Sequence, residues 1–258
     1  MQNLFSLEGR VALVTGGSRG IGAMIAKGFL VYGAKRVYIS ARKSAACDAM
    51  AEALSEFGEC ISLPADVSTM EGMQGLADRI LAKEDKLDIL VNNAGIIRRA
   101  DSIDFSEADW DAVMDTNLKV VFFLTQAFAR QVLKQGPVNG VAGKVINIAS
   151  LLSFQGGIRV PSYTASKSGL AGLTKILANE WATKGINVNA IAPGYFDTNN
   201  TEALRNDADR NASILARIPA ARWGKPSDLG GAAVFLASPA ADYVQGITLP
   251  VDGGWLAR

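Results

Sequence analysis

Histidine is absent from this chain of 258 residues. Its absence excludes catalytic triads and metal sites that use an imidazole, and it removes the side chain that ordinarily exchanges protons near neutral pH. Cysteine is nearly absent as well, since Cys47 and Cys60 are the only two. They lack the spacing of a metal site, so we predict no bound metal and expect both to be reduced thiols.

Neither sign of charge is in excess, because 26 Lys and Arg residues face 25 Asp and Glu residues and leave a net charge of +1. This balance predicts no binding to nucleic acid or to a membrane surface. The longest apolar runs are strand-sized, well below the ~20 residues of a membrane-spanning helix. The first ten residues lack the apolar run of a signal peptide. We therefore expect a soluble cytoplasmic protein.

Strand-sized apolar runs alternate with helical patterns, and no repeat or Pro/Ser-rich linker interrupts them. Repeated βα units of this kind predict an α/β fold with one doubly wound parallel sheet of the Rossmann type and helices on both faces. At 49% hydrophobic residues, one domain can span 1–258. The predicted strands are Val11–Val14, Val37–Ser40, Ile61–Pro64, Ile89–Val91, Lys144–Ile148, Ile186–Ala192 and Ile247–Val251, and the predicted helices are Ile21–Tyr32, Ala45–Phe57, Met70–Lys83, Glu107–Gln135, Pro161–Lys184, Asn199–Ala216 and Ser227–Ala237.

A glycine-rich turn, Thr15–Gly22, lies between the first strand and the first helix. Its glycines allow a pyrophosphate to approach the backbone closely, and the helix that follows presents free N–H groups at its N-terminus. The position between a strand and a helix favours this reading over a purely structural turn, which is the alternative for any glycine pattern. The cofactor contacts predicted here are Gly16, Ser18, Arg19, Gly20, Ile21 and Gly22.

The end of the second predicted strand bears on the choice of cofactor. An acidic residue there would accept a hydrogen bond from the ribose 2′-OH of NAD, but Ser40 is followed by Arg42 and no acid. Arg42 and Arg19 together suit a dianionic 2′-phosphate, although both could be ordinary surface arginines. We predict NADP(H) in preference to NAD(H), with Asp66 and Val67 flanking the adenine.

Tyr163 and Lys167 are the residues best suited to proton transfer. Their spacing places them one turn apart on the same face of a helix. A nearby ammonium stabilises the phenolate, so we expect Lys167 to lower the pKa of Tyr163 from its ordinary value near ~10. Such a tyrosine serves as a general acid or base near neutral pH, and Ser150 lies upstream in the chain as a hydrogen-bonding partner.

In chain order, these motifs resemble the short-chain dehydrogenase/reductase family over essentially the whole sequence. Each motif alone is common, whereas the combination is specific. The resemblance implies hydride transfer between a nicotinamide cofactor and a carbonyl or alcohol carbon of a small molecule. The motifs are the Thr15–Gly22 turn, Asn92-Asn93-Ala94-Gly95, Asn117, Ser150, Tyr163 with Lys167, and Pro193-Gly194.

The resemblance also implies a role for each matching residue. Tyr163 would exchange the proton with the substrate oxygen, and Lys167 would lower its pKa and hold the nicotinamide ribose. Ser150 would position the substrate oxygen, and Asn117 would hold a water of the proton relay. The remaining cofactor contacts that it implies are Asn93, Gly95, Pro193, Gly194 and Thr198.

The two halves of the chain resemble different branches of the family. From about Leu87 onward the sequence is similar to 2-dehydro-3-deoxy-D-gluconate 5-dehydrogenases, notably in Gly95–Arg99 and Ser153–Tyr163. The first ~85 residues look more like NADP-dependent 3-oxoacyl reductases, including the rhamnolipid kind. This shift suggests a mosaic or chimera joined near Leu87–Gly95, and it leaves a 3-oxoacyl or general ketone reductase as the rival enzyme. A catalytically silent NADP-binding scaffold is the rival outside catalysis.

A sugar acid needs a cation for its carboxylate and polar groups for its hydroxyls. Arg98, Arg99 and Arg159 are candidates for the carboxylate, because a bidentate pair gives orientation as well as affinity, although each could be a solvated arginine. Gln155 and Asn200 are candidates for the hydroxyls, beside Ser150.

The predicted Asn199–Ala216 stretch is polar, as a mobile lid over the substrate would be, or it is a plain surface helix. The resemblance implies a homotetramer that packs through the helices carrying Asn117 and Tyr163.

Overall fold

The computed structural model describes residues 3–84, 86–137 and 140–258, and the side chain of Asn200 lies outside this description. Within these ranges the strands form one seven-stranded sheet in the order β3-β2-β1-β4-β5-β6-β7, and each neighbouring pair is parallel. The predicted doubly wound fold is therefore confirmed. The strands are β1 (Val11–Thr15), β2 (Arg36–Ser40), β3 (Cys60–Ser62), β4 (Ile89–Asn92), β5 (Gly143–Ile148), β6 (Ile186–Pro193) and β7 (Thr248–Val251).

Helices cover both faces of this sheet because its strands are apolar on both sides. Along β1, Ala12 and Val14 pack into one buried cluster and Val11 and Leu13 into the other, as alternating side chains of a strand must. The helices are α1 (Gly20–Val31), α2 (Ser44–Leu54), α3 (Met70–Leu81), α4 (Glu107–Met114), α5 (Val120–Gln135), α6 (Pro161–Trp181), α7 (Glu202–Asn206), α8 (Ala208–Arg217) and α9 (Ser227–Ala237).

Helices α1, α2 and α9 pack on one face of the sheet, and α3, α5 and α6 pack on the other. In the part of the chain that the structure describes, no helix has the combined length and apolar character to cross a bilayer. The strand order reverses between β1 and β4, since the chain first runs outward to β3 and then returns. In an open parallel sheet such a reversal leaves a crevice at the carboxyl ends of the strands.

Two predicted helices are interrupted. The predicted Glu107–Gln135 helix is split by a π-helical turn, Asp115–Lys119, between α4 and α5. This wider turn contains Asn117, and single π turns inside helices are frequent at functional sites. The predicted Asn199–Ala216 helix is split at Asp207, whose carboxylate accepts a hydrogen bond from the Arg210 N–H at 3.0 Å and so starts α8 afresh.

Candidate active site

A cleft of about 1030 Å³ opens where the strand order reverses, at the carboxyl ends of β1, β2, β4, β5 and β6. Large clefts at this position are the usual ligand sites of such sheets. Every residue predicted to contact a cofactor lies in its lining. These residues are Gly16, Ser18, Arg19, Gly20, Ile21, Gly22, Arg42, Asp66, Val67, Asn93, Gly95, Tyr163, Lys167, Pro193, Gly194 and Thr198.

The glycine turn forms one end of the cleft, and its geometry tolerates no side chain at two positions. Gly16 has a φ of +66°, and a Cβ there would lie 2.8 Å from Nδ2 of Asn93. A Cβ on Gly22 would collide with the carbonyl oxygen of Gly16. The turn is therefore packed closely against Asn93, and α1 begins at Gly20, which lines the cleft. This arrangement can receive a phosphate against backbone N–H groups.

Asn93 braces this turn from the neighbouring strand. Its Nδ2 donates to the carbonyl oxygens of Thr15 at 2.9 Å and Gly16 at 3.0 Å. Its backbone N–H donates to Oγ1 of Thr15 at 3.0 Å, and that hydroxyl donates to the Val91 carbonyl at 3.2 Å. The sequence placed Asn93 beside the adenosine. In the structure it lines the cleft while its amide nitrogen holds the shape of the turn.

Cations surround the cleft at the end of β2. Arg19, Arg42 and Lys43 are exposed and line it, and Lys43 was not singled out from the sequence. Ser40 was also missed, although its Oγ is buried in the lining region without a hydrogen-bond partner among the described residues. Opposite, the Asp66 carboxylate accepts from the Ser68 hydroxyl at 2.6 Å. That hydrogen bond, together with the charge of Arg42, lowers the pKa of Asp66.

Helix α6 carries Tyr163 and Lys167 into the other end of the cleft. Pro161 starts this helix at a position where its missing N–H has no cost. Lys167 is buried, and its Nζ donates to the carbonyl oxygen of Ile148 at 2.6 Å. Burial of the ammonium lowers the pKa of Lys167 to about 8. The same Nζ lies 5.6 Å from the centre of the Tyr163 ring.

The expected lowering of the Tyr163 pKa is not what the structure shows. Burial of the phenol raises its pKa, and this outweighs the opposing hydrogen bond of Ser150 and the charge of Arg99. Spacing on the helix brought Lys167 near the ring, but its Nζ points to the Ile148 carbonyl. The pair is thus positioned for proton transfer while the phenol stays protonated at neutral pH.

Ser150 lies across the same end of the cleft. It starts a short 3₁₀ turn, Leu151–Ser153, and its Oγ accepts from the Leu152 N–H at 3.2 Å. This bond fixes the direction of the hydroxyl group, which lines the cleft beside Tyr163. Ser150, Tyr163 and Lys167 are therefore brought together as predicted, and the roles assigned to them stay predictions.

Asn117 does not line the cleft and is fully buried beneath it. Its Nδ2 donates to the carbonyl oxygen of Ile96, its Oδ1 accepts from the N–H of the same residue, and both distances are 2.9 Å. A weaker contact joins its Nδ2 to Oγ of Ser166 at 3.3 Å. The side chain thus holds the segment after β4 against the π-helical turn, a role that sequence spacing did not indicate.

The predicted substrate contacts are scattered. Arg98 lines the cleft and pairs with Asp109 at 3.0 Å. Arg159 does not line it, has a φ of +63° and pairs with Asp101 at 3.1 Å. Gln155 does not line it either, because its Oε1 accepts from the indole N–H of Trp255 at 3.1 Å. The side chain of Asn200 lies outside the described residues.

The predicted lid and the residues just before it contribute to the cleft at positions that the sequence did not single out. Phe196 lines the cleft ahead of the predicted lid, and Asn199 and Thr201 line it within the lid, beside Thr198. The Thr201 hydroxyl donates to the carbonyl oxygen of Phe196 at 2.5 Å, which folds the start of the lid into a tight turn. Hydroxyl side chains that bond to nearby backbone are the only sequence signal that could have indicated this turn.

Comparison with known proteins places this site in a family. A family model described as enoyl-(acyl carrier protein) reductase matches residues 16–256. The 2-dehydro-3-deoxy-D-gluconate 5-dehydrogenase of Escherichia coli is 57% identical over 98% of each chain. A solved Agrobacterium tumefaciens structure, named as a candidate 2-deoxy-D-gluconate 3-dehydrogenase with bound NADP, is 60% identical over 100% of each chain with a TM-score of 0.88. A gluconate 5-dehydrogenase from Burkholderia cenocepacia, solved with NADP and tartrate, is 40% identical over 99% of this chain and 98% of its own, with a TM-score of 0.93.

These comparisons do not show the predicted mosaic. The dehydrogenase relatives match along the whole chain and not only from Leu87 onward. The rhamnolipid 3-oxoacyl-[acyl-carrier-protein] reductase of Pseudomonas aeruginosa also spans 99% of both chains, at 41% identity. These matches cover the glycine turn, Tyr163 with Lys167, and the strands of the sheet. The chain therefore belongs to the short-chain dehydrogenase/reductase family.

Proposed function

We propose that this chain is an NADP(H)-dependent oxidoreductase that interconverts a ketone and a secondary alcohol on a small sugar acid, in the manner of a 2-dehydro-3-deoxy-D-gluconate 5-dehydrogenase. One observation carries the proposal: Ser150, Tyr163 and Lys167 line the same cleft as the glycine turn. A phosphate cradle and a proton-exchanging pair are thus joined by one continuous surface. The names of full-length relatives at 56–57% identity support the same substrate class.

The donor set of the cleft fits a phosphorylated dinucleotide. Side chains at Gly16 and Gly22 would collide with Asn93 and with the Gly16 carbonyl, so glycine at both positions keeps the turn in this shape. Arg19, Arg42 and Lys43 lie where a 2′-phosphate would need cations, and Ser40 offers a hydroxyl without another partner. When bound, the nicotinamide supplies the hydride, and the protein supplies position and a proton.

Proton transfer then falls to the residues of α6 and the end of β5. In the reductive direction, the protonated phenol of Tyr163 donates to the substrate oxygen, whose position the Ser150 hydroxyl fixes. Lys167 holds its ammonium beside the ring and stabilises the phenolate that remains. In the oxidative direction the phenol must first lose its proton, which its raised pKa opposes. Asn117 acts from beneath by holding the wall formed by Ile96.

The substrate carboxylate is proposed to meet the arginines that follow β4. Arg98 lines the cleft, and the charge of Arg99 acts on the Tyr163 phenol, so both lie at the catalytic end. Asn200 remains our candidate for a substrate hydroxyl, because it belongs to the 3₁₀ turn Asn199–Thr201 at the start of the lid.

Initial rates of NADPH oxidation with a panel of keto-deoxy sugar acids test the proposal, with a 3-oxoacyl ester and NADH as comparison arms. We expect turnover on sugar acids with NADPH preferred. Turnover confined to the acyl ester would favour the second candidate, a 3-oxoacyl reductase, which the 41% identical rhamnolipid relative supports. Binding of NADPH without turnover of any ketone would favour a silent scaffold.

We further propose that the chain is one domain, cytoplasmic and homotetrameric. One sheet runs through residues 11–251, which supports a single domain. The cysteines are free and buried, which suits a reducing compartment.

The proposed tetramer is supported by two exposed apolar side chains, Leu133 on α5 and Ile176 on α6, on the helices expected to meet partner copies. Light scattering of the purified protein tests the tetramer, and separate alignments of the two halves test the mosaic.

A further inference from the structure

The loop between Ser150 and Tyr163 is held by the segment that follows β7. Oε1 of Gln155, in the middle of this loop, accepts from Nε1 of Trp255 at 3.1 Å. The same oxygen accepts from the Arg217 guanidinium, at the last residue of α8, at 3.3 Å. One amide oxygen therefore joins three parts of the chain: the loop before Tyr163, the lid helix α8 and residues 252–258.

The Trp255 ring makes the second connection in this cluster. The Arg217 guanidinium carbon lies 4.0 Å from the centre of the indole, which is a cation–π contact. On another side, the Tyr195 ring packs on the indole with centres 4.7 Å apart. Tyr195 follows Gly194, which lines the cleft, so the indole packs one residue behind the cleft wall at the end of β6.

Residues 252–258 are folded so that the indole is held rigidly. The Asp252 carboxylate accepts from the N–H groups of Gly254 and Leu256, each at 2.9 Å. Arg258 donates to the carbonyl oxygens of Arg217 at 3.2 Å and Ala216 at 2.8 Å, which covers the end of α8. Trp255 is buried in a small cluster that also contains Leu151 and residues of α8.

We propose that Trp255 is a positioning residue that sets how α8 closes against the loop leading from Ser150 to Tyr163, and thereby how tightly the substrate is held. The inference rests on the proposed function, since this loop joins Ser150 to Tyr163, which both line the cleft, and Arg217 ties α8 to the loop. Trp255 does not line the cleft itself, and the loop that it holds joins Ser150 to Tyr163 at the end opposite the glycine turn, so we expect its effect on the substrate and not on the cofactor.

Steady-state kinetics of Trp255→Phe and Gln155→Leu test the proposal, because both remove the hydrogen bond between these two residues and leave an apolar side chain of similar size, and Gln155→Leu also removes the Arg217 contact. We expect each to raise the sugar-acid KM roughly 2- to 10-fold, the value of one hydrogen bond, with the KM for NADPH unchanged. The double variant should be no worse than the more affected single one, since the bond is lost only once. Gln155→Glu retains an acceptor and should restore the parental KM.

Trp181→Phe is the matched control, because that partly buried indole lies at the end of α6 away from the cleft. Unchanged substrate KM in Trp255→Phe and Gln155→Leu, or fully additive effects in the double variant, would overturn the inference. Lowered thermal stability with parental kinetics would show a structural role only and would overturn it as well.

Hydrogen exchange separates this inference from the proposed function. If the parent turns over no sugar acid, the proposed function fails, but α8 amides must still exchange faster in Trp255→Phe than in the parent and in Trp181→Phe. Equal exchange of residues 208–217 in all three proteins would refute the positioning role whatever the substrate is.

Discussion

Nζ of Lys167 donates to the main-chain carbonyl oxygen of Ile148 at 2.6 Å, so helix α6 is tied directly to the end of β5. Ser150 follows two residues after this carbonyl, and Tyr163 lies one turn before Lys167 on α6. A single bond thus fixes the distance between the hydroxyl and phenol groups. The Ile148 carbonyl is a neutral acceptor and offers no charge to offset the burial of the ammonium. Burial therefore lowers the pKa of Lys167 to about 8.

This lowered pKa predicts a specific dependence of stability on pH. Between pH 8 and the ordinary lysine value near ~10.4, Lys167 is mostly neutral in the folded protein and charged in the unfolded chain. The unfolded state then binds more protons, so the contribution of Lys167 to the unfolding free energy rises with pH in this window, by at most ~1.4 kcal/mol per unit. Denaturant titrations of the parent and of Lys167→Met, from pH 7 to 10, measure the difference. A difference that is flat or falls with pH would contradict the assignment.

Replacing Tyr163 by Phe should remove the proton donor and keep the ring. We expect kcat for ketone reduction to fall about 10²- to 10⁴-fold, the usual contribution of a positioned acid or base. NADPH affinity should stay close to parental, because the glycine turn and Arg42 lie at the other end of the cleft. Rates and a fluorescence titration of NADPH check both halves of this prediction, and near-parental kcat would refute the proposed role of Tyr163.

Arg42 should decide the preference between the two nicotinamide cofactors. Arg42→Ala should raise the KM for NADPH about 10- to 100-fold, as expected for lost hydrogen bonds to a charged group, and leave the KM for NADH nearly unchanged. Arg130→Ala is the control, since Arg130 is an exposed arginine on α5 outside the cleft lining. Equal effects of Arg42→Ala on both cofactors would mean that this residue does not meet a 2′-phosphate.

Arg159 and Asp101 join the loop before α6 to the loop after β4. Beside their ion pair, the Ala100 N–H donates to the Arg159 carbonyl at 3.2 Å. If Arg159 acts through this pair, Arg159→Ala and Asp101→Ala should raise the sugar-acid KM by similar factors. Both should leave NADPH affinity intact and, because the pair is exposed, change stability by less than ~1 kcal/mol.

The same two variants test the sequence-based alternative, in which Arg159 binds the substrate carboxylate itself. That alternative requires Arg159→Ala to raise KM and Asp101→Ala to leave it unchanged or lower it, because Asp101 would then compete for the guanidinium. Unchanged KM in both variants would exclude Arg159 from substrate use altogether.

The fold and the catalytic end of the cleft followed from local patterns in the sequence. Strands that are buried on both faces read as apolar runs, and their alternation with helices predicts βα units and a parallel sheet. The same sheet brings the glycine turn and Tyr163 to one cleft. The sequence indicated Ser150, Tyr163 and Lys167 because the last two lie one turn apart on a helix and the first follows a strand. These positions are what brings the three side chains together.

Contacts between distant segments could not be read in the same way. Gln155 looked available for a substrate, but its partner Trp255 lies a hundred positions further along the chain. Arg159 was taken as a free cation because its ion pair with Asp101 depends on how two loops fold back on each other. The direction of the Tyr163 pKa was misjudged for a related reason, because burial is a property of the packed fold and not of helix spacing.

Transfer of deuterium from 4,4-dideuterated NADPH to a keto-deoxy sugar acid is the most direct test of the account, followed by mass spectrometry of the product and run in parallel with Tyr163→Phe. The account predicts one deuterium on the reduced carbon with the parent and essentially no product with the variant. An unlabelled alcohol, or equal labelled product from both proteins, would contradict it.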